Sequence, residues 1–323
     1  GGGHKPSALS RRKRRIRTLG SPLFAARAVL FVTLLLPCLR ALRVALWCLG
    51  PLCAALFASH ATAVGLTVLL ADDSAPHAEF ARQLRATVDD APVTIAVGMA
   101  AARAAIARPG VEPLLLAMLT QLDYESLRGD PGLLRVDRRV GVLLRDPAMA
   151  DQLALIDAVL PQKRRLGVVA TAESEPLVRE LERAAAGWDL KVQYAPDPTA
   201  LAAALRLVVA RSDALMVLPD RIGDSQAATL AVLHAGAGAT LPVFGASDGL
   251  VRSGGLAAAV STPTQLAAQA RAIVQKLQRG AGGVVLVEAA TPATVRVNTT
   301  VARGLSLRLP DERELTERMT APR

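Results

Sequence analysis

The sequence predicts an α/β protein of two doubly wound, Rossmann-like lobes that follow an N-terminal signal or anchor segment. Three observations predict it. From residue 64 onward, short apolar runs alternate with longer runs of helical period, the pattern of parallel strands covered by helices on both faces. More than eight such strands are expected, with a break near Pro147–Pro161, and two lobes accommodate them better than one sheet. Residues 1–63 have a different composition, basic and then apolar, and set themselves apart from the body.

The charge distribution makes that cut sharply. Ten cations (Lys5, Arg11, Arg12, Lys13, Arg14, Arg15, Arg17, Arg27, Arg40 and Arg43) fall in the first 63 residues, with no Asp or Glu. The rest of the chain holds 28 Lys/Arg against 28 Asp/Glu, so the net +10 belongs entirely to the head. A nucleic-acid binder carries its cations on a folded face, because phosphate neutralisation supplies much of its affinity. Here the basic run abuts apolar sequence instead, the layout of an export signal. Two apolar stretches follow, 22–39 and 44–59, and the second leads into Ala61-Thr62-Ala63, a small-residue triplet that predicts cleavage after Ala63. An uncleaved anchor is the alternative. Cys38, Cys48 and Cys53 all lie in the head, so the body has no thiol nucleophile, disulfide framework or Cys-ligated metal.

In the body, strands are expected at 66–70, 93–97, 113–119 and 140–144, with helices at 74–88, 99–107 and 148–160. The second half repeats the rhythm. Strands fall at 166–170, 191–195, 214–218, 242–246 and 256–260, and helices at 175–186, 199–211, 225–236 and 264–279. Short strands at 284–288 and 294–298 close the pattern. The expected lobes are 64–147 with about 262–290, and 148–261 with about 291–323.

Signals for an enzyme are thin. There is no G-x-x-x-x-G-K-[ST] and no H-E-x-x-H. Gly236-Ala237-Gly238 and Gly280-Ala281-Gly282-Gly283 each follow a helix, whereas a phosphate loop joins a strand to a helix, so they read as helix ends and turns. His77 and His234 lack metal-ligand spacing. No catalytic residue, metal or cofactor is expected.

In doubly wound sheets ligands bind beyond the carboxyl ends of the strands. The loops there are Asp72-Asp73-Ser74, Gly98-Met99, Thr120-Gln121, Thr171-Ala172-Glu173, Pro219-Asp220-Arg221 and Ser247-Asp248-Gly249. Polar residues and glycine recur in them, as in a cleft between two lobes. From these loops the candidate ligand-binding residues are Asp73, Ser74, Gly98, Met99, Thr120, Thr171, Glu173, Asp220, Arg221, Ser247 and Asp248, and Tyr124 is the one aromatic ring expected at the cleft. Helix capping explains Ser74, Ser247 and Asp248 equally well. A surface ion pair is the commoner fate of an Arg such as Arg221, although it also suits an acidic ligand group.

Four stretches, QLALIDAVLPQKRRLGVVAT (152–171), SDALMVLPD (212–220), LPVFGASDGLVRSGGLAAAVST (241–262) and VNTTVARGLSLRLPDE (297–312), give the chain a family resemblance. It resembles the ABC-transporter substrate-binding proteins of the type I periplasmic-binding fold, the group with tryptophan- and tyrosine-binding members. This chain departs from them at Gly98-Met99-Ala100, where a small hydroxyl residue is usual, at Arg221-Ile222, and in a short first lobe. The resemblance implies a periplasmic protein that closes two hinged lobes around a small-molecule solute. It also implies an inner-membrane ABC permease as partner, with no nucleic acid and a monomeric state. A membrane-anchored sensor or accessory module of the same fold, contacting a partner protein, is the alternative.

Overall fold

The computed structural model describes residues 65–321 apart from 89–90, 281 and 293. The signal or anchor expected over 1–63, with its cleavage point, lies outside the described residues. Strands form where short apolar runs can be buried on both faces. β1 (Leu66–Leu70), β2 (Val93–Val97), β3 (Leu114–Leu119) and β4 (Val140–Pro147) are separated by α1 (Ala75–Thr87), α2 (Met99–Ala107) and α3 (Gln121–Leu127). The chain then crosses into α4 (Met149–Val159), β5 (Arg165–Ala170), α5 (Glu175–Ala184), β6 (Asp189–Tyr194), α6 (Pro198–Val209) and β7 (Ala214–Met216). After these come α7 (Arg221–Asp224), α8 (Gln226–Gly238), β8 (Val243–Gly245), α9 (Asp248–Arg252) and β9 (Ala257–Val260). The last elements are α10 (Pro263–Arg279), β10 (Leu286–Ala290), β11 (Thr294–Val297), α11 (Thr299–Gly304) and α12 (Glu312–Thr320).

Two sheets result, ordered β1-β2-β3-β4-β10 and β11-β9-β8-β7-β5-β6. Every pairing is parallel except that of β11 with β9. The chain passes between the sheets three times, after β4, after β9 and after β10. The long helix α10 returns to the first sheet and presents Leu266, Ala267, Ala270, Ile273, Val274 and Leu277 along one buried stripe. Each large apolar side chain buried there contributes about 1.5–3 kcal/mol. Thr262 and Gln265 fix the start of α10 as a capping box. Gly141 lets it lie directly on β4, since a Cβ there would fall 2.8 Å from Ile273 Cγ2.

The two sheets differ in one connection. Steps β1–α1–β2 and β2–α2–β3 run in the same direction across the first sheet. Yet Phe80 and Leu84 of α1 pack with Val93, Ile95 and Val97, whereas α2 packs on the opposite face with Ala96. Two such steps have opposite hands, although parallel crossovers are nearly always right-handed. In the second sheet β6 takes the outer edge, the chain reverses direction, and the conflict does not arise. The first lobe lacks the strand equivalent to β6, which accounts for its shortness and leaves β1 as an edge strand.

The strand pattern of the body was legible, but several details are corrected. Residue 284 precedes β10 instead of opening it, because Gly283 (φ +89°) turns the chain there and the ladder with β4 begins at Leu286. Gly236 and Gly238 belong to the last turn of α8 and do not follow it. Tyr124 sits within α3, not in a loop, because Thr120 and Asp123 nucleate that helix as a capping box.

Candidate functional site

The carboxyl ends of β7 and β8 face the end of β4 across a cavity of about 280 Å3. Its floor comes from Val217, Leu218, Gly245 and Ala246, and its polar rim includes Asp224, Thr229, Ser247 and Ser253. The opposite wall is Arg145 and Asp146, the last polar residues of β4. An Arg145–Asp224 ion pair of 2.8 Å joins the two lobes across this space.

Asp146 is the unusual group. Its side chain is only 15% exposed, and Oδ2 lies 3.5 Å from Arg145 Nε without accepting a formed hydrogen bond. Burial pushes its carboxyl up to about 6; Arg145 offsets part of this, and the Asp224 carboxylate adds to it. A buried carboxylate oxygen with no donor is expensive unless something supplies one, and this one belongs to a residue lining a cavity of solute size.

Of the twelve expected site residues, Ser247 alone lines this cavity. Its hydroxyl accepts from Leu250 N (3.1 Å) as the N-cap of α9, and Asp248 pairs with Arg252. Asp220 is buried beside the cavity, where it caps α7 through Ile222 N and Gly223 N and accepts from Ser174 Oγ at 2.5 Å. Thr171 bonds Ser174 in a third capping box. Glu173 and Arg221 form an exposed ion pair of 2.8 Å. Thr171 and Arg221 line a separate groove of about 580 Å3, between the loop after β6 and helices α7 and α8.

In the first lobe, Asp73 and Ser74 are exposed. Ser74 stands at the N-cap of α1 but makes no side-chain cap; Asp72 instead accepts from Ser74 N (2.9 Å) and pairs with His77 (2.8 Å). Gly98 turns β2 into α2 at φ +85°, where a Cβ would meet His77 Cε1 at 2.8 Å. Met99 and Tyr124 pack partly against the core under α2, and burial raises the Tyr124 phenol above its ordinary range. Thr120 accepts from Asp123 N (3.0 Å) and Asp123 accepts from Thr120 N (2.9 Å). Thr120→Ala is expected to lower stability by about 1 kcal/mol in urea unfolding and to leave solute affinity unchanged. A loss of affinity without a loss of stability would instead make Thr120 a ligand contact.

Arg145, Asp146 and Asp224 were not singled out by the sequence. The available signal was position: Arg145-Asp146-Pro147 directly follows the apolar run 140–144, but it reads as the start of the break between lobes. Among the described residues no group of three or more His, Cys, Asp or Glu is placed to hold a metal.

Two parallel-sheet lobes, three crossings between them and a cavity between facing strand ends define a two-lobed ligand-binding protein. The profile of the family described as ABC transporter substrate binding protein matches residues 75–316, and the chain belongs to that family. It is a binding protein, not an enzyme. Proteins of this kind bind small-molecule solutes and work with membrane permeases, typically outside the cytoplasm. Solved structures similar in fold include the ABC domain from Streptococcus pneumoniae in complex with L-Trp (17% identity, TM-score 0.53, covering 78% of this chain and 98% of that one). A conserved domain protein from Vibrio cholerae is 20% identical (TM-score 0.55; 79% and 98% covered). The ligand-free, open form of a substrate-binding protein with adhesive properties from Clostridium difficile is 16% identical (TM-score 0.57; 76% and 95% covered). No curated relative matches the chain.

Proposed function

We propose that the chain is the solute-binding component of an ABC-type uptake system, exported to the periplasm, and that its solute is small and carries an ammonium group. The observation behind this reading is the buried Oδ2 of Asp146, which lacks a hydrogen-bond donor and belongs to the wall of the cavity between the lobes. An ammonium supplies several N–H donors and a compensating charge, and a charge-assisted bond in such a site is about twice as strong as a neutral one. Arg145 is placed to exchange Asp224 for a ligand carboxylate, so an α-amino acid satisfies both groups at once. The Streptococcus pneumoniae neighbour holds L-Trp. The cavity here is lined without an aromatic side chain, which favours a smaller solute.

The three crossings at the ends of β4, β9 and β10 are the proposed hinge, and the Arg145–Asp224 pair is a latch on the closed arrangement. Titration calorimetry against amino acids, simple amines, carboxylates and sugars tests the ligand class. Amino acids or amines are expected to saturate the protein, and binding confined to sugars or carboxylates overturns the reading. In small-angle scattering, Asp224→Ala is expected to enlarge the radius of gyration of the solute-free protein, and solute to reverse the change. An unchanged radius in both states contradicts the hinge.

A further inference from the structure

The large apolar side chains left exposed among the described residues are Val111, Leu134, Val136, Tyr194, Leu207 and Val284. Four of these six gather at one end of the first lobe. Val111 precedes β3, Leu134 and Val136 precede β4, and Val284 precedes β10. Their exposures are 65%, 52%, 82% and 80%. The loops that carry them are fixed to one another. Arg138, 1% exposed, donates to Glu112 O (3.1 Å), Ala105 O (3.0 Å) and Glu112 Oε1 (2.9 Å), which ties the loop before β4 to the loop before β3. Gly282 and Gly283 approach Val136 so closely that a Cβ on Gly282 would lie 2.2 Å from its carbonyl oxygen. Arg139 donates to Gln278 O (2.7 Å) and so brings the end of α10 to the same face.

The rim of this patch is basic. Arg108 and Arg279 are exposed and form no ion pair among the described residues, and Arg135 and Arg139 are half-exposed beside them. Of the acids nearby, Glu112 pairs with Arg138 and Asp137 with Arg135, while Asp130 accepts from Gly132 N and keeps its charge against the three arginines outside those pairs. Asp89 and Asp90, which precede β2, lie outside the described residues. Strand register shows where the chain enters. Leu66 pairs with Val93, Thr94 with Leu114, Leu114 with Val140 and Gly141 with Leu286. The first residue of β1 is therefore at the patch end of the sheet, directly after a stretch of ten cations, two apolar runs and no acid.

We infer that this end of the first lobe is a lipid-contacting face, which seats the body on an anionic membrane surface. Val111, Leu134, Val136 and Val284 enter the headgroup layer, and Arg108, Arg139 and Arg279 meet the lipid phosphates. Apolar side chains ringed by cations suit a surface that is negative outside and apolar beneath. Because the patch lies at the amino ends of the strands and the cavity at the carboxyl ends, the cleft of a seated body faces away from the lipid. The inference goes beyond the solute-binding reading and does not depend on it.

Hydrogen–deuterium exchange of the full chain tests it, with phosphatidylcholine vesicles that either contain or lack phosphatidylglycerol. Anionic vesicles are expected to slow exchange several-fold at 108–112, 131–138 and 282–285, neutral vesicles to leave it unchanged, and high salt to abolish the protection. Arg108→Glu together with Arg279→Glu is expected to remove the protection, while exchange in β3 shows that the variant remains folded. Equal protection by neutral vesicles, or protection spread evenly over both lobes, overturns the inference. So does no protection on either lipid, which would assign the patch to a protein partner.

Discussion

Asp146→Asn is expected to make the protein more stable at neutral pH and to weaken solute binding by roughly 100-fold, the equivalent of losing one charge-assisted hydrogen bond. The stability gain follows from linkage. The folded carboxyl titrates near about 6, against about 3.9 for an unperturbed Asp. The folded state therefore holds the proton more tightly than the unfolded state. Between about pH 4 and 6 the native protein binds more protons, so stability falls as pH rises, and above that window the full penalty is present. A shift of this size corresponds to at most about 3 kcal/mol. Asn carries no charge and avoids the penalty. The variant and the parent should match in urea unfolding near pH ~4 and diverge to a plateau above pH ~6. Solute affinity of the parent should weaken as pH falls below the same window, because a protonated carboxyl no longer pairs with an ammonium. A stability difference that is flat across pH would remove the buried-carboxylate argument. Unchanged solute affinity in the variant would remove Asp146 from the site.

How far the sequence reveals this protein depends on whether a signal is local. Strands such as LTVLL and LLLAML are legible because a parallel strand covered on both faces must be a continuous apolar run. Helix α10 is legible because its stripe, Leu266 to Leu277, spans about three turns. The short helices α3, α7 and α9 are not, since four to seven residues cannot display a 3.6-residue period. Their only marks are the capping residues Thr120, Asp220 and Ser247, and the same polar residues after a strand also suggest a ligand site. This ambiguity is why the expected site residues are so often caps in the structure. Asp146 illustrates the opposite failure. Nothing adjacent to it marks it as buried, because its burial and its Arg145–Asp224 neighbourhood depend on a loop more than seventy residues later. The missing outer strand of the first sheet showed only as a shortage of residues, since crossover hand has no signature in the amino acids.

Asp220→Ala is expected to lower stability by about 3 kcal/mol, the opposite sign to Asp146→Asn. Both carboxyls are held above the ordinary range chiefly by burial, so burial alone does not separate them. The difference lies in their donors. Asp220 is 1% exposed and accepts from Ile222 N (2.9 Å), Gly223 N (3.2 Å) and Ser174 Oγ (2.5 Å). Ala removes three hydrogen bonds worth about 1 kcal/mol each and leaves their donors where water cannot replace the lost acceptor. Asn keeps an amide oxygen for the two backbone donors of α7 and turns its NH2 toward Ser174 Oγ, which can then donate to Thr171 Oγ1 at 2.8 Å. Asp220→Asn should therefore cost only about 1 kcal/mol. Urea unfolding of the two variants distinguishes a capping carboxylate from a ligand-binding one. If Ala at this position proves nearly neutral, Asp220 is not what holds the loop between β7 and α8. The geometry of the cavity rim would then need another support. If Ala is severe and Asn mild, a carboxylate with all its donors inside the protein is structural even at a strand end beside the cleft. The one that remains short of a donor, Asp146, is the one left to meet the solute.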